Sequence, residues 1–189
     1  MPHEPDIIGE LSAGHRAVYR LFDALRATAP GSPGRKELAD EVADAFARHA
    51  VAVREHLHPV VRDRVADGAV WVERSVAAHH GVARVLGELE GREADDPAFT
   101  PLLVELIARV TDDFLDEEQR LFPRLQAVCP ARTLDALGDA VRRQRLPARP
   151  HSGPGAPAAR LPSPGAGLVG RVRGLLRGRG RAAGRRTGG

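Results

Sequence analysis

The chain has 189 residues, 42% of them hydrophobic, enough for one sizeable core and a tail. Aromatics make up only 4% while Ala, Leu, Val and Arg are abundant, which favours helices packed on helices over sheets. A single cysteine, Cys129, excludes an internal disulfide framework, and the net charge of +3 conceals an acidic body of 19 basic and 25 acidic groups followed by nine arginines in residues 147–189.

The opening Met1-Pro-His-Glu-Pro-Asp6 lacks the basic and apolar regions of a secretion signal, so a reducing, cytoplasmic setting is expected. No stretch approaches the roughly 20 apolar residues of a membrane span; Leu102 to Val110, the nearest to one, is interrupted by Glu105 and Arg109. From Asp6 to Ala29, Ile8, Leu11, Val18, Phe22 and Leu25 form a helical stripe, with His15 inside it. Ala29-Pro-Gly-Ser-Pro-Gly34 ends that helix, and Ser32-Pro33 reads as a cap and first turn of the next. The second helix is expected to carry Leu38, Val42, Ala45, His49, Val53, His56 and Val60 on one face, with Pro59 kinking it or ending its regular part.

A third helix, near Val70 to Glu90, places Val72, Val76, His79, Ala83, Leu86 and Leu89 inward. The fourth opens at Asp96-Pro97 or Thr100-Pro101, with a stripe of Leu103, Leu106, Val110, Asp113, Glu117, Leu121 and Leu125. The expected fold is all-α: a four-helix up-and-down bundle over residues 1–146, with a shorter fifth helix, Thr133 to Gln144, packed outside it.

The two halves repeat. A shift of 64 positions carries His79 onto His15, Asp113 onto His49, Leu121 onto Leu57 and Pro123 onto Pro59, and within each half the leading polar residues stand 34 apart. Measured from the intervening loop, His15 and His49 both lie roughly 24–27 Å along their helices, at one level. His79 and Asp113 stand in the same relation, so four polar groups converge on the bundle axis, with Glu117 one turn on. Imidazole nitrogen with carboxylate oxygen suits iron, manganese or zinc. Glu118 lies about 100° further round and points less inward. His56 lies about 10 Å beyond His49, while His58 and His80 fall off the stripes; all three read as structural or solvated. Without a metal, the three histidines could instead satisfy the two acids as a polar core network.

These residues resemble the hemerythrin-like (HHE cation-binding) family over about residues 6–145. Its pattern is a His on the first helix, His-x-x-x-Glu on the second, a His followed four residues later by His or Glu on the third, and His-x-x-x-Glu-Glu on the fourth. An aromatic-Pro pair follows each later motif. His15, His49, His79, Glu117 and Glu118 match, as do Leu57-His58-Pro59 and Leu121-Phe122-Pro123, whereas Val53, Ala83 and Asp113 replace expected ligands. The resemblance implies a bundle that holds non-haem iron, as one ion or two, and binds or senses oxygen, nitric oxide or redox state without being an enzyme. The implied metal ligands are His15, His49, His79, Asp113, Glu117 and Glu118. A metal-free bundle serving as an interaction module is the alternative, and a carboxylate-bridged oxidase a third reading that the loss at Val53 opposes.

Residues 147–189 read as a Pro/Gly/Arg-rich disordered tail. Leu168, Val169, Val172, Leu175 and Leu176 would share one helical face there, suited to an anionic surface or a protein partner. No aromatic is present for base stacking, and no specific nucleic acid is expected.

Overall fold

The computed structural model describes residues 4–145. The expected tail, with its apolar face from Leu168 to Leu176, lies outside the described residues. Within them the chain forms α1 (Ile7–Ala27), α2 (Pro33–Ala52), α3 (His58–Arg64), α4 (Gly68–Leu89), α5 (Phe99–Asp116), α6 (Phe122–Val128) and α7 (Ala131–Arg145). Two single π turns, Val53–Leu57 and Glu117–Leu121, join α2 to α3 and α5 to α6 without a break. Four long rods therefore make the bundle expected from the sequence, and α7 is the fifth helix.

The starts of the helices follow local chemistry. Asp6 caps α1, accepting a hydrogen bond from the Gly9 N–H at 2.8 Å. Ser32 stands at the cap position of α2 with Pro33 as its first residue, although the serine side chain makes no cap bond. The turn into α4 passes through Asp67 at φ 58, and a Cβ on Gly68 would fall 2.1 Å from the Val61 carbonyl oxygen. Only glycine fits there.

Both π turns precede a proline. Pro59 and Pro123 lack an N–H, and their rings exclude the carbonyl four residues back, so the backbone widens ahead of them. The His58 N–H donates to the Val53 carbonyl, and the Phe122 N–H to that of Glu117, each reaching back five residues. The extra residue turns the following face. After His49 and Val53 the buried positions on the second rod are Leu57, His58 and Val61, while the expected His56 and Val60 are only half-buried. On α4 the buried arc runs through Val72, His79, Val82, Val85, Leu86 and Leu89; Val76, expected inward, is 37% exposed.

The apolar core falls into two clusters. One, around Phe22, Phe46, Phe99 and Phe114, fills the end of the bundle nearest the α1–α2 loop. The other gathers Ile7, Leu11, Val53, Leu57, Leu121 and Leu125 and takes in Leu134 and Val141 of α7. Burying each large side chain is worth about 2 kcal/mol. The fifth helix is thus part of the core wall rather than a loose appendage. Gly138 lets it approach, since a Cβ there would meet the Pro5 carbonyl oxygen at 2.6 Å, and Arg142 pairs with the buried Glu10 at 2.9 Å.

Candidate metal centre

His15 and His49 meet across α1 and α2 with ring centroids 5.0 Å apart, and His49 and His79 with centroids 5.6 Å apart. The single level expected from the loop distances is therefore realised. His15, His49, His79, Asp113 and Glu117 are all buried, and Glu10 and His58 are the other buried polar residues among those described. One ligand atom from each of His49, His79, Asp113 and Glu117 lies within 4.8 Å of all the others. Donors about 2.1 Å from one ion in a tetrahedral site stand roughly 3.4 Å apart, so a separation at the upper limit would have to close by about an ångström or more.

His15 stands beside this group. Its Nε2 lies 3.2 Å from Glu117 Oε2, and its Nδ1 contacts Glu118 Oε1 at 2.7 Å. Glu118 is the outer member, its side chain 32% exposed, and it holds the His15 ring by the far nitrogen. A carboxylate on the far nitrogen of an imidazole is the usual way of aiming the near one at an ion. Among the six expected ligands, Glu118 therefore takes an orienting position. On the other side His79 Nε2 is 3.2 Å from Asp113 Oδ2, while His49 Nε2 lies 3.9 Å from Asp113 and 3.7 Å from Glu117.

The 3.2 Å separations of His15 Nε2 from Glu117 and of His79 Nε2 from Asp113 are out of hydrogen-bond alignment. His15 Nε2, His79 Nε2, Asp113 Oδ2 and both oxygens of Glu117 are buried and make no hydrogen bond. Buried polar atoms are seldom left so. Imidazole nitrogens and carboxylate oxygens converging out of hydrogen-bond alignment are the donor types of a cation's first shell, and the residue set fits such an ion.

Without a cation the cluster must hold protons. Burial pulls the His15 imidazole down, but the carboxylates of Glu117 and Glu118 outweigh it, and its pKa is raised above the ordinary 6.5. Burial likewise opposes, and Asp113 then overcomes, for His79, whose pKa is also raised. Glu117 is raised as well, by burial first and by the neighbouring Asp113 charge, with His15 opposing. Each of these imidazoles is therefore held in its protonated form, beside a carboxylate, to a higher pH than a free histidine.

The aromatic walls of the centre lie outside the stripes expected from the sequence. Phe114 stacks on His15 with centroids 3.8 Å apart and meets His49 at 4.8 Å, while Phe46 packs edge-on to His79 at 5.3 Å. Their positions, three residues before His49 and one after Asp113, were the available signal. His58, read as off the stripe, is buried by the π turn; it lies 3.1 Å from Ser75 Oγ and its ring stacks 6.3 Å from His79. Burial, then His79 and Arg62, lower its pKa to about 4. His56 sits near Gln144 at 3.2 Å, and His80 is exposed. Val53 is fully buried in the second apolar cluster and Ala83 half-buried against the first, so both replaced ligand positions have joined the core. Cys129 is buried, its thiol pKa pushed up by that burial, as a packing residue requires.

A helical bundle with buried histidines and acids meeting at one level belongs to the class of cation-binding bundles. The model of the hemerythrin HHE cation-binding domain matches residues 6–125, and the chain belongs to that family. No curated protein and no solved structure matches the chain. Among the described residues, no helix is long and apolar enough to cross a membrane.

Proposed function

We propose that this protein binds one non-haem iron ion, held by His49, His79, Asp113 and Glu117 with His15 at its edge, and uses it to bind or sense oxygen, nitric oxide or redox state. The observation that carries this reading is the convergence of buried ligand atoms from His49, His79, Asp113 and Glu117 within 4.8 Å of one another, with His79 Nε2, Asp113 Oδ2 and both Glu117 oxygens out of hydrogen-bond alignment. An iron ion supplies one-electron chemistry and an exchangeable coordination position. The chain's own part is to hold the donors against the aromatic walls of Phe46 and Phe114, to keep His15 aimed through Glu118, and to leave coordination positions unfilled because Val53 and Ala83 offer no ligand. It is a binding protein in this reading, not an enzyme.

Elemental analysis of protein purified without an affinity metal tests it, together with the variants His49→Ala and His79→Ala. About one ion per chain in the parent and little in either variant is expected. Metal content that ignores both substitutions would sink the assignment. The second reading, a metal-free bundle acting as an interaction module, draws on the same histidine–carboxylate pairs, which can neutralise one another. It requires that ferrous iron added anaerobically leave the melting temperature unchanged.

A further inference from the structure

A groove of about 460 Å³ runs between α4 and the α5–π turn segment, with Trp71, Ser75 and Ala78 on one wall and Asp112, Asp116 and Gln119 on the other. Its floor includes Asp113 and Glu117, which are 7% and 3% exposed and carry the unpartnered oxygens described above. Solvent therefore reaches the edge of the buried cluster from this side. The acids form a staircase on one helix side: Asp112 is exposed, Asp116 half-buried, Asp113 and Glu117 buried.

One ion pair spans the groove. Arg74 Nε on α4 lies 3.5 Å from Asp116 Oδ2 on α5, and Arg120 Nη1 donates to Asp116 Oδ1 at 3.1 Å from the same side as the acid. Both guanidinium side chains are more than half exposed, whereas that of Asp116 is 24% exposed. Such pairs hold weakly and reopen easily. While they hold, the halfway carboxylate is neutralised and the two walls are tied together. Arg74 is further seated over the Trp71 ring, 5.5 Å from its centroid, which gives it a fixed resting place on the α4 wall.

We infer that this groove is the route by which a divalent cation enters and leaves the centre, and that the Arg74–Asp116 pair, braced by Arg120, is the strap across it. The inference rests on the metal-binding reading above. When the strap opens, Asp116 is freed to take a hydrated cation from Asp112 and pass it to Asp113 and Glu117; when it closes, a loaded ion is retained.

Two measurements on the full chain test it. In the first, a cysteine is placed on the wall (Ala78→Cys with Cys129→Ala) and its rate of modification by a charged thiol reagent is read, with no metal involved. Adding Arg74→Ala and Arg120→Ala should speed labelling about fivefold, the shift expected from losing partly exposed ion pairs. In the second, cobalt(II) is mixed with the metal-free protein in a stopped-flow instrument and Trp71, the sole tryptophan, reports arrival by its fluorescence. Uptake and release should quicken by the same factor in Arg74→Ala/Arg120→Ala, with Kd unchanged. Faster uptake with slower release would mean that the arginines act by charge alone, and would overturn the strap. An unchanged labelling rate overturns it whether or not metal binds. Faster labelling with no cobalt taken up by any protein, the parent included, would instead overturn the metal reading and the route with it.

Discussion

Loading the centre should release protons, and their number follows from the pairs that hold the empty cluster together. His79 Nε2 faces Asp113 Oδ2 at 3.2 Å and His15 Nε2 faces Glu117 Oε2 at 3.2 Å. Both imidazoles have pKa values raised above 6.5, so each retains a proton at a pH where a free histidine has begun to lose it. A metal needs the bare nitrogen. One proton should therefore leave from His79, and a second if His15 joins the coordination. Between pH 6.5 and the raised values, log Kd should fall by one to two per pH unit, each proton being worth about 1.4 kcal/mol per unit. Titration calorimetry with cobalt(II), repeated in two buffers of different ionisation enthalpy, counts the protons directly. Glu118→Gln removes the charge that helps hold the His15 proton and should move the count towards one. A count of zero in this window, with metal bound, would refute the pairing scheme. The same raised values fix the sign of the metal-free protein's stability. The contribution is whole below about pH 6.5, the unfolded imidazole value, and is lost as pH rises through the folded ones. Bound metal should remove that alkaline decline.

Three other outcomes are expected. His58 is protonated less readily folded than unfolded, so its contribution is present above about pH 6.5 and is lost as pH falls towards about 4. His58→Phe, which copies Phe122 of the other half, should spare about 2 kcal/mol of that loss at pH 5, read by urea unfolding at pH 7 and pH 5. Gly138→Ala should destabilise by about 1–3 kcal/mol, because the new Cβ meets backbone atoms of Pro5 and Asp6 that cannot step aside; a gain, as helix propensity alone predicts, would mean that α7 does not seat on the start of α1. Val53→Glu with Asp113→His should raise iron bound per chain, measured by elemental analysis, if the centre is a reduced form of a two-ion site, and no increase would count against that descent.

The bundle was legible because its signals are periodic. The 64-residue shift that superposes Pro59 on Pro123 also superposes the π turns, Val53–Leu57 on Glu117–Leu121, and the helices that follow, His58–Arg64 on Phe122–Val128. The convergence of His15, His49, His79 and Asp113 needed only the rise per residue and two loop positions. What stayed hidden depends on backbone that departs from 3.6 residues per turn. A stripe drawn at that period runs from Val53 to His56 and Val60, whereas the inserted residue buries Leu57, His58 and Val61. The place of His58 beside His79 was invisible for this reason. The error on α4 has another origin: Val76 lies at the margin of an arc whose direction is set by where α5 and the second rod sit against it, and a helix's own sequence does not carry that. Phe114 falls outside the stripe that carries Asp113, yet its ring lies against both His15 and His49.

The two π turns mark corresponding positions in the two halves. Each begins at the residue that follows its polar helix position by four, Val53 after His49 and Glu117 after Asp113. That first side chain stands one regular turn after the polar position and so faces inward before the backbone widens, next to the polar level. In the second half it is a carboxylate, and it contributes two unpartnered oxygens. In the first half it is a valine, fully buried with Leu11, Leu57 and Leu121. A cation bridged from both halves would need a carboxylate in each. A single new glutamate at Val53 would bury a charge among those leucines, which is unfavourable by several kcal/mol unless an ion or imidazole meets it. Val53 lies in the second apolar cluster and Ala83 packs against the first, so the two replaced donors are lost on different sides of the polar level. What remains includes Asp113 and Glu117, where the groove between α4 and α5 opens. On the proposed reading, this chain has one ion's worth of ligands placed beside its own door.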